Sequence, residues 1–290
     1  MIYLLLCIIC SGLLVVLFKV FQRLNIDVFP SIVVNYLSAS AFAYLYMSNK
    51  AEVLTVNMLH EPWLPFAIFL GSLFITIFNI TSVTTLRYGV STASVAMKLG
   101  LVFPVALAFL VYGEPFSWLK LIGIALALAA VILSSVKEDN AVTHHQGLAV
   151  LPILVFLGSG ACDSLTQLAN KKFVTENSSE AFALFLFLAA AFWGCVALAY
   201  LMFSKKKSIK LNSIIGGIVL GIINYFSFLF LLKALSQVKG GSGVVFPMAN
   251  LGTVAFATVI GVLFFNEKIS RLNALGLALM ALAMIAMVFA

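Results

Sequence analysis

The chain has 290 residues, of which 63% are hydrophobic and only 9% charged. A soluble domain needs about a quarter of its residues charged to cover its surface, so the solvent for this chain is lipid. The formal charge of +7 does not signal a nucleic-acid partner: the Lys and Arg lie mostly between apolar runs, where they meet anionic lipid headgroups.

An apolar run of about 20 residues crosses a hydrocarbon core about 30 Å thick as a helix, which satisfies its own backbone polar groups. In chain order the sequence predicts ten such spans, at 2–21, 29–48, 65–86, 91–112, 118–136, 147–170, 181–203, 213–233, 242–265 and 271–289. The expected fold is an all-α, multi-pass membrane protein. The first run lacks a basic leader and a small-residue cleavage site, and Lys19 and Arg23 follow it, so it reads as a retained helix. The longest connection, 49–63, carries Lys50, Glu52, His60 and Glu61 and is expected at the membrane interface. The other connections are short and insert no soluble domain.

The chain repeats itself. GEPFSWLKLIGIALALAAVIL at 113–133 aligns with NEKISRLNALGLALMALAMIA at 266–286. Glu114 falls on Glu267, Ser117 on Ser270, Leu119 on Leu272 and Gly123 on Gly276 at one offset. Earlier pieces agree: Leu86 and Arg87 resemble Leu232 and Lys233, Asn79 has a counterpart in Asn224, and Gly100 matches Gly252. That last match places Lys98 opposite Asn250. The halves are 1–140 and 141–290, with five spans each. Five is odd, so the second half starts from the opposite side and the two are inverted. Such a seam is a common transport path in membranes.

Several motifs carry less than their form suggests. Cys7 and Cys10 form a C-x-x-C, but on an apolar helix this spacing only puts two small residues on one face; Cys162 and Cys195 are also inside spans, and packing is the reading for all four. His144 and His145 follow Lys137, Glu138 and Asp139 in a loop, where solvation is expected rather than metal binding. No cofactor or metal is expected. Lys239-Gly240-Gly241-Ser242-Gly243 lacks the order of a phosphate-binding loop. Gly217 and Gly221 form a G-x-x-x-G, which predicts close helix packing.

Taken together, the chain resembles the EamA-type drug/metabolite transporters. The likeness covers nearly the whole chain: ten helices, two five-helix halves, and a Gly-Glu-like element opening the last helix of each half, here Gly113-Glu114 and Asn266-Glu267. The run Arg87-Tyr88-Gly89-Val90-Ser91-Thr92-Ala93-Ser94 has the same look. Asn266 stands where such transporters usually have Gly. The resemblance implies movement of small solutes across the cytoplasmic membrane, with the first four helices of each half around a central cavity and the fifth helping to pack or dimerise, so that a monomer or a homodimer is expected. It implies nothing about which solute.

Chemistry has to come from polar groups that a bilayer otherwise excludes, since a charge in the core costs several kcal/mol unless it faces water or a partner. Lys98 lies about 10 Å in from one side of its span and Asp163 about 10 Å in from the other, at 1.5 Å per residue. Lys98 suits a substrate carboxylate or phosphate; the plainer alternative is an ammonium that snorkels or meets a helix-end carbonyl. Asp163 shares a helical face with Ser159, Gln167 and Asn170 and suits a coupling proton or a substrate amine, against a plain interhelical hydrogen bond. Asn79, Asn224 and Asn250 bracket the centre, though amides often only link helices, at about 0.6 kcal/mol each. Tyr225, Phe226 and Phe228 offer an apolar wall. Glu114 and Glu267 offset helix dipoles. Pro104 and Pro247 each remove a backbone bond and are candidate hinges.

The function expected is secondary transport of a small polar metabolite, an amino acid or related anion or zwitterion. Export of lipophilic cations is the rival, and a non-transporting receptor or assembly subunit the second alternative. An intramembrane enzyme would need a convergent nucleophile and base, which the spans do not offer. Lys205, Lys206, Lys207 and Lys210 tip the charge balance toward an external N-terminus, whereas the resemblance implies a cytoplasmic one.

Overall fold

A computed structural model describes residues 1–47, 50, 60–88, 90–113, 117–135, 150–175, 178–205, 209–238, 241–265 and 270–288. The expectations placed on Glu52, Glu114, Lys137, Glu138, Asp139, His144, His145, Lys206, Lys207, Lys239, Gly240, Asn266 and Glu267 lie outside the described residues. Lys50, His60 and Glu61, from the long connection, are exposed.

Regular structure among the described residues is helical. The helices are α1 (Ile2–Arg23), α2 (Val28–Tyr46), α3 (Leu64–Tyr88), α4 (Val90–Leu99), α5 (Val102–Leu110), α6 (Trp118–Ser135), α7 (Val150–Lys172), α8 (Ser179–Lys205), α9 (Leu211–Gln237), α10 (Ser242–Phe265) and α11 (Arg271–Val288). Helices α1, α2, α3, α7, α8, α9 and α10 are each long and apolar enough to cross a membrane. Shorter apolar stretches cover Val95–Leu110, Trp118–Leu133 and Arg271–Met287. The protein is therefore an all-α membrane protein whose helices follow the ten expected spans, with one correction.

The correction is the fourth span. The sequence predicts one helix over 91–112; the structure has two, α4 and α5, joined by a tight turn at Gly100 and Leu101. Pro104 is the cause. It has no N–H to give to the Gly100 carbonyl four residues back, and the chain tightens to three-residue spacing instead: Gly100 N–H bonds Met97 O at 3.3 Å, Leu101 N–H bonds Lys98 O at 3.3 Å, and Phe103 N–H bonds Gly100 O at 3.1 Å. Pro104 itself sits in the first turn of α5, where a missing N–H leaves no bond unmade. Pro247 behaves differently. It lies near the start of α10, and that helix continues unbroken to Phe265.

Ser117 and Ser270, aligned in the repeat, do the same work at equivalent helix starts. Ser117 Oγ accepts the Leu119 N–H of α6 at 3.2 Å, and Ser270 Oγ accepts the Asn273 N–H of α11 at 3.2 Å.

The chain packs as two compact units. One holds Met1–Thr76 and Leu168–Ser236, hence α1, α2, the first half of α3, α8 and α9. The other holds Ile77–Gln167 and Gln237–Ala290, hence α4 to α6, most of α7, α10 and α11. These are not the sequence halves; each unit draws on both. Helices that the repeat makes equivalent pack on each other: α2 on α8 in the first unit, α5 on α10 and α6 on α11 in the second.

Small residues make those approaches close. In the first unit, a Cβ on Gly217 would stand 2.6 Å from Ser31 O and Val34 Cβ, and one on Gly221 would collide with Ser38 Oγ and Asn35 O. The G-x-x-x-G of α9 is thus the seat of α2, and Ser38 Oγ donates to Gly217 O at 3.3 Å across it. In the second unit α6 packs on α11: a Cβ on the buried Gly123 would stand 3.0 Å from Met287 and 3.4 Å from Ala283 O, and Ala127, Ala130 and Val131 of α6 and Met280, Ala283 and Met287 of α11 are nearly inaccessible. Large side chains such as Leu110, Phe203 and Phe264 face outward, as lipid permits.

Candidate functional site

The turn after α4 organises the polar centre of the second unit. Lys98 is in the last turn of α4. Helix carbonyls there point past the helix end and carry partial negative charge, which favours a cation. Lys98 Nζ donates to Asn250 Oδ1 of α10 at 2.9 Å. These two residues occupy matching positions in the repeat.

Helix α7 supplies the other wall. Ser159 Oγ donates to Met97 O at 3.0 Å, and a Cβ on Gly100 would lie 2.8 Å from Gly160 N. A Cβ on Gly160 would in turn overlap the Phe103 ring. Ser159 and Gly160 therefore receive the broken helix at backbone contact, while Gly158 lies against Ile77 of α3. That register sets Asp163 one helical turn past Ser159, about 6 Å along α7. Asp163, half-buried on that face, lies within the electrostatic reach of Lys98.

The rest of the polar face of α7 is also used. Gln167 Nε2 donates to Ser242 Oγ at the start of α10, and its Oε1 is buried with no hydrogen-bond partner among the described residues. Asn170, in the first unit, donates from Nδ2 to Leu232 O of α9 at 3.2 Å and accepts from Ser236 Oγ at 3.4 Å.

Of the substrate-contact candidates, Lys98, Asp163, Asn250, Gln167 and Asn79 belong to the second unit, and Asn224 and Tyr225 to the first. The structure brings Lys98, Asn250 and Asp163 together. Gln167 is one turn further along α7, tied to Ser242. Asn79 is half-buried on α3 and has a partner within the protein. Asn224 is half-buried on α9. Tyr225 is fully buried, packs on Tyr46 and Phe226 with centroids 6.4 and 5.1 Å away, and its hydroxyl has no hydrogen-bond partner among the described residues. Pro104 marks the helix break and Pro247 an unbroken helix. Cys7 and Cys162 are buried, all four cysteines are free thiols, and no group of three His, Cys, Asp or Glu among the described residues could hold a metal ion.

One residue escaped the reading of the sequence as a site residue. Ser159 shares the face of Asp163, but its role as the hydrogen-bond donor to the end of α4 needs the break, which the apolar run concealed; its flanking glycines in an otherwise bulky helix were the available signal. Lys120, near the start of α6, is 3% exposed.

Residues 150–289 match the EamA-like transporter family. An uncharacterized protein of Haemophilus influenzae is 32% identical over 274 residues, which is 93% of this chain and 91% of that protein. A protein of known crystal structure superposes with a TM-score of 0.75 at 14% identity, covering 99% of this chain and 96% of the other, a likeness of fold. The chain belongs to the EamA-like transporter family, and it is a multi-pass membrane protein of the drug/metabolite transporter class.

Proposed function

We propose that this chain is a secondary transporter that moves a small polar metabolite, an amino acid or a related organic anion or zwitterion, across the cytoplasmic membrane. One observation carries the reading: an ammonium, Lys98, is held inside an apolar span at a helix break, bonded to its repeat counterpart Asn250 and acting on Asp163. A solute carboxylate competes with Asn250 for Lys98, because a charged acceptor makes the stronger hydrogen bond. Asp163 then serves the solute's ammonium or carries a coupling proton. Asn79, Asn224, Gln167 and Tyr225 are assigned to solute contact or to the walls of the path, and the repeat halves 1–140 and 141–290 to the two sides of that path.

Purified protein in liposomes tests this. Flux of amino acids or organic anions is expected, with no flux of quaternary ammonium dyes, which Lys98 repels. Dye transport alone would make the chain a lipophilic-cation exporter. No flux of any solute would favour a receptor or assembly role.

A further inference from the structure

We propose that one turn of α7 selects solutes that carry a primary ammonium, which donates to Asp163, to Gln167 Oε1 and to Ser164 Oγ. For what is carried, this rests on the transport reading above. Around the helix, Gln167 falls between Asp163 and Ser164, and all three lie within an arc of about 100°. Gly160 lies on the same arc, and a Cβ there would overlap the Phe103 ring of α5. Gln167 Nε2 reaches Ser242 Oγ at the start of α10. The arc therefore faces α5 and α10, inside the second unit.

Two of these oxygens have no partner. Gln167 is 1% exposed, and with Nε2 engaged by Ser242 its Oε1 is buried without a hydrogen bond among the described residues. Ser164 Oγ is buried and without one as well. Other helical hydroxyls of this protein behave differently: those of Ser72, Thr81, Thr166 and Thr253 each donate to the carbonyl four residues back, at 2.7 to 2.8 Å. Ser164 does not take the equivalent bond to Gly160. A buried polar atom without a partner bears the full cost of leaving water, so two on one arc mark a place that a ligand completes. The hydrogen-bond inventory names its class. An amide oxygen and an ionised carboxylate only accept, and a hydroxyl is able to. A primary ammonium brings three N–H groups, one for each oxygen, and a charge that Asp163 matches. Water brings two protons and no charge, a quaternary ammonium has no N–H, and a carboxylate brings only acceptors. Within the range proposed above, the solute is then an amino acid or other zwitterion rather than an anion without an amine.

The test is melting of the purified protein, with no other solute, at equal ionic strength in methylammonium chloride or tetramethylammonium chloride. The wild type is expected to melt higher in methylammonium, by a margin that grows with concentration, because a ligand bound only by the folded state stabilises it by mass action. Ser164→Ala removes a hydroxyl that has no partner. It is expected to melt at least as high as the wild type in tetramethylammonium and to lose the methylammonium margin. Gln167→Leu is expected to lose the margin too. Three results would overturn the inference: equal melting of the wild type in both salts, a margin that survives in Ser164→Ala, or a lower melting point of Ser164→Ala in tetramethylammonium, as the loss of a bond to a structural water gives. Amino-acid flux in liposomes without a methylammonium margin overturns this inference alone. A margin without flux of any solute overturns the transport reading and leaves the ammonium site standing.

Discussion

Lys98 is a cation at the end of a half-helix, and three things offset the cost of holding it in an apolar span: the helix-end carbonyls, Asn250 and the field of Asp163. Replacing Lys98 by Ala removes a charge-assisted hydrogen bond, a contribution of about 1.5–3 kcal/mol. Flux in liposomes is expected to fall by roughly tenfold or more, 1.4 kcal/mol being a factor of ten, while the protein still reaches the membrane; wild-type flux would reduce Lys98 to a snorkelling residue. Asp163→Asn keeps shape and hydrogen bonding but cannot titrate. If Asp163 carries the coupling proton, the variant is expected to lose uptake driven by a pH gradient and to keep solute exchange. Gradient-driven uptake by the Asn variant rules that role out.

Among the elements, the break between α4 and α5 sets where Lys98 sits. Pro104→Ala returns an N–H to the Gly100 carbonyl and favours one continuous helix, which would rotate Lys98 away from Asn250. Flux is expected to drop while thermal stability holds or rises; unchanged flux would mean that the break does not position Lys98. The opposite pattern is expected at Gly221, where α2 lies against the backbone of α9. Gly221→Leu overpacks that contact at a cost of about 1–3 kcal/mol, so the melting temperature should fall without a change in solute preference. A variant that melts like the wild type would show that α2 can move aside.

For the molecule as a whole, the repeat and the packing units divide the chain differently. The halves expected from the sequence are 1–140 and 141–290, whereas the compact units draw on both, so that helices aligned by the sequence repeat meet as partners inside one unit. The orientation across the membrane belongs to this scale too. Lys210 is exposed beside Asp27, 3.5 Å away, at the side opposite the N-terminus. With a cytoplasmic N-terminus, Lys210→Cys, in a background lacking the four native cysteines, is expected to react with a membrane-impermeant maleimide in intact cells. Protection until the cells are opened would place the N-terminus outside, as the charge balance suggests.

The sequence by itself determined the class and the helical spans, because both rest on local composition and fixed spacing. Apolar runs of membrane length must be helices, and the match of Gly100 with Gly252 set Lys98 opposite Asn250 before any contact was known. It did not reveal the broken fourth span: Leu99, Leu101, Val102 and Phe103 read as continuous hydrocarbon, and Pro104 marked a candidate hinge but not the tight turn that Ser159 and Gly160 receive. It could not give the interval between Lys98 and Asp163, since depth counted along each helix says nothing of how one helix is seated against another. It could not show Lys120 buried, because burial depends on which neighbours cover the α6 surface. Those were decisions of packing between segments far apart in the chain, and only the tertiary structure makes them.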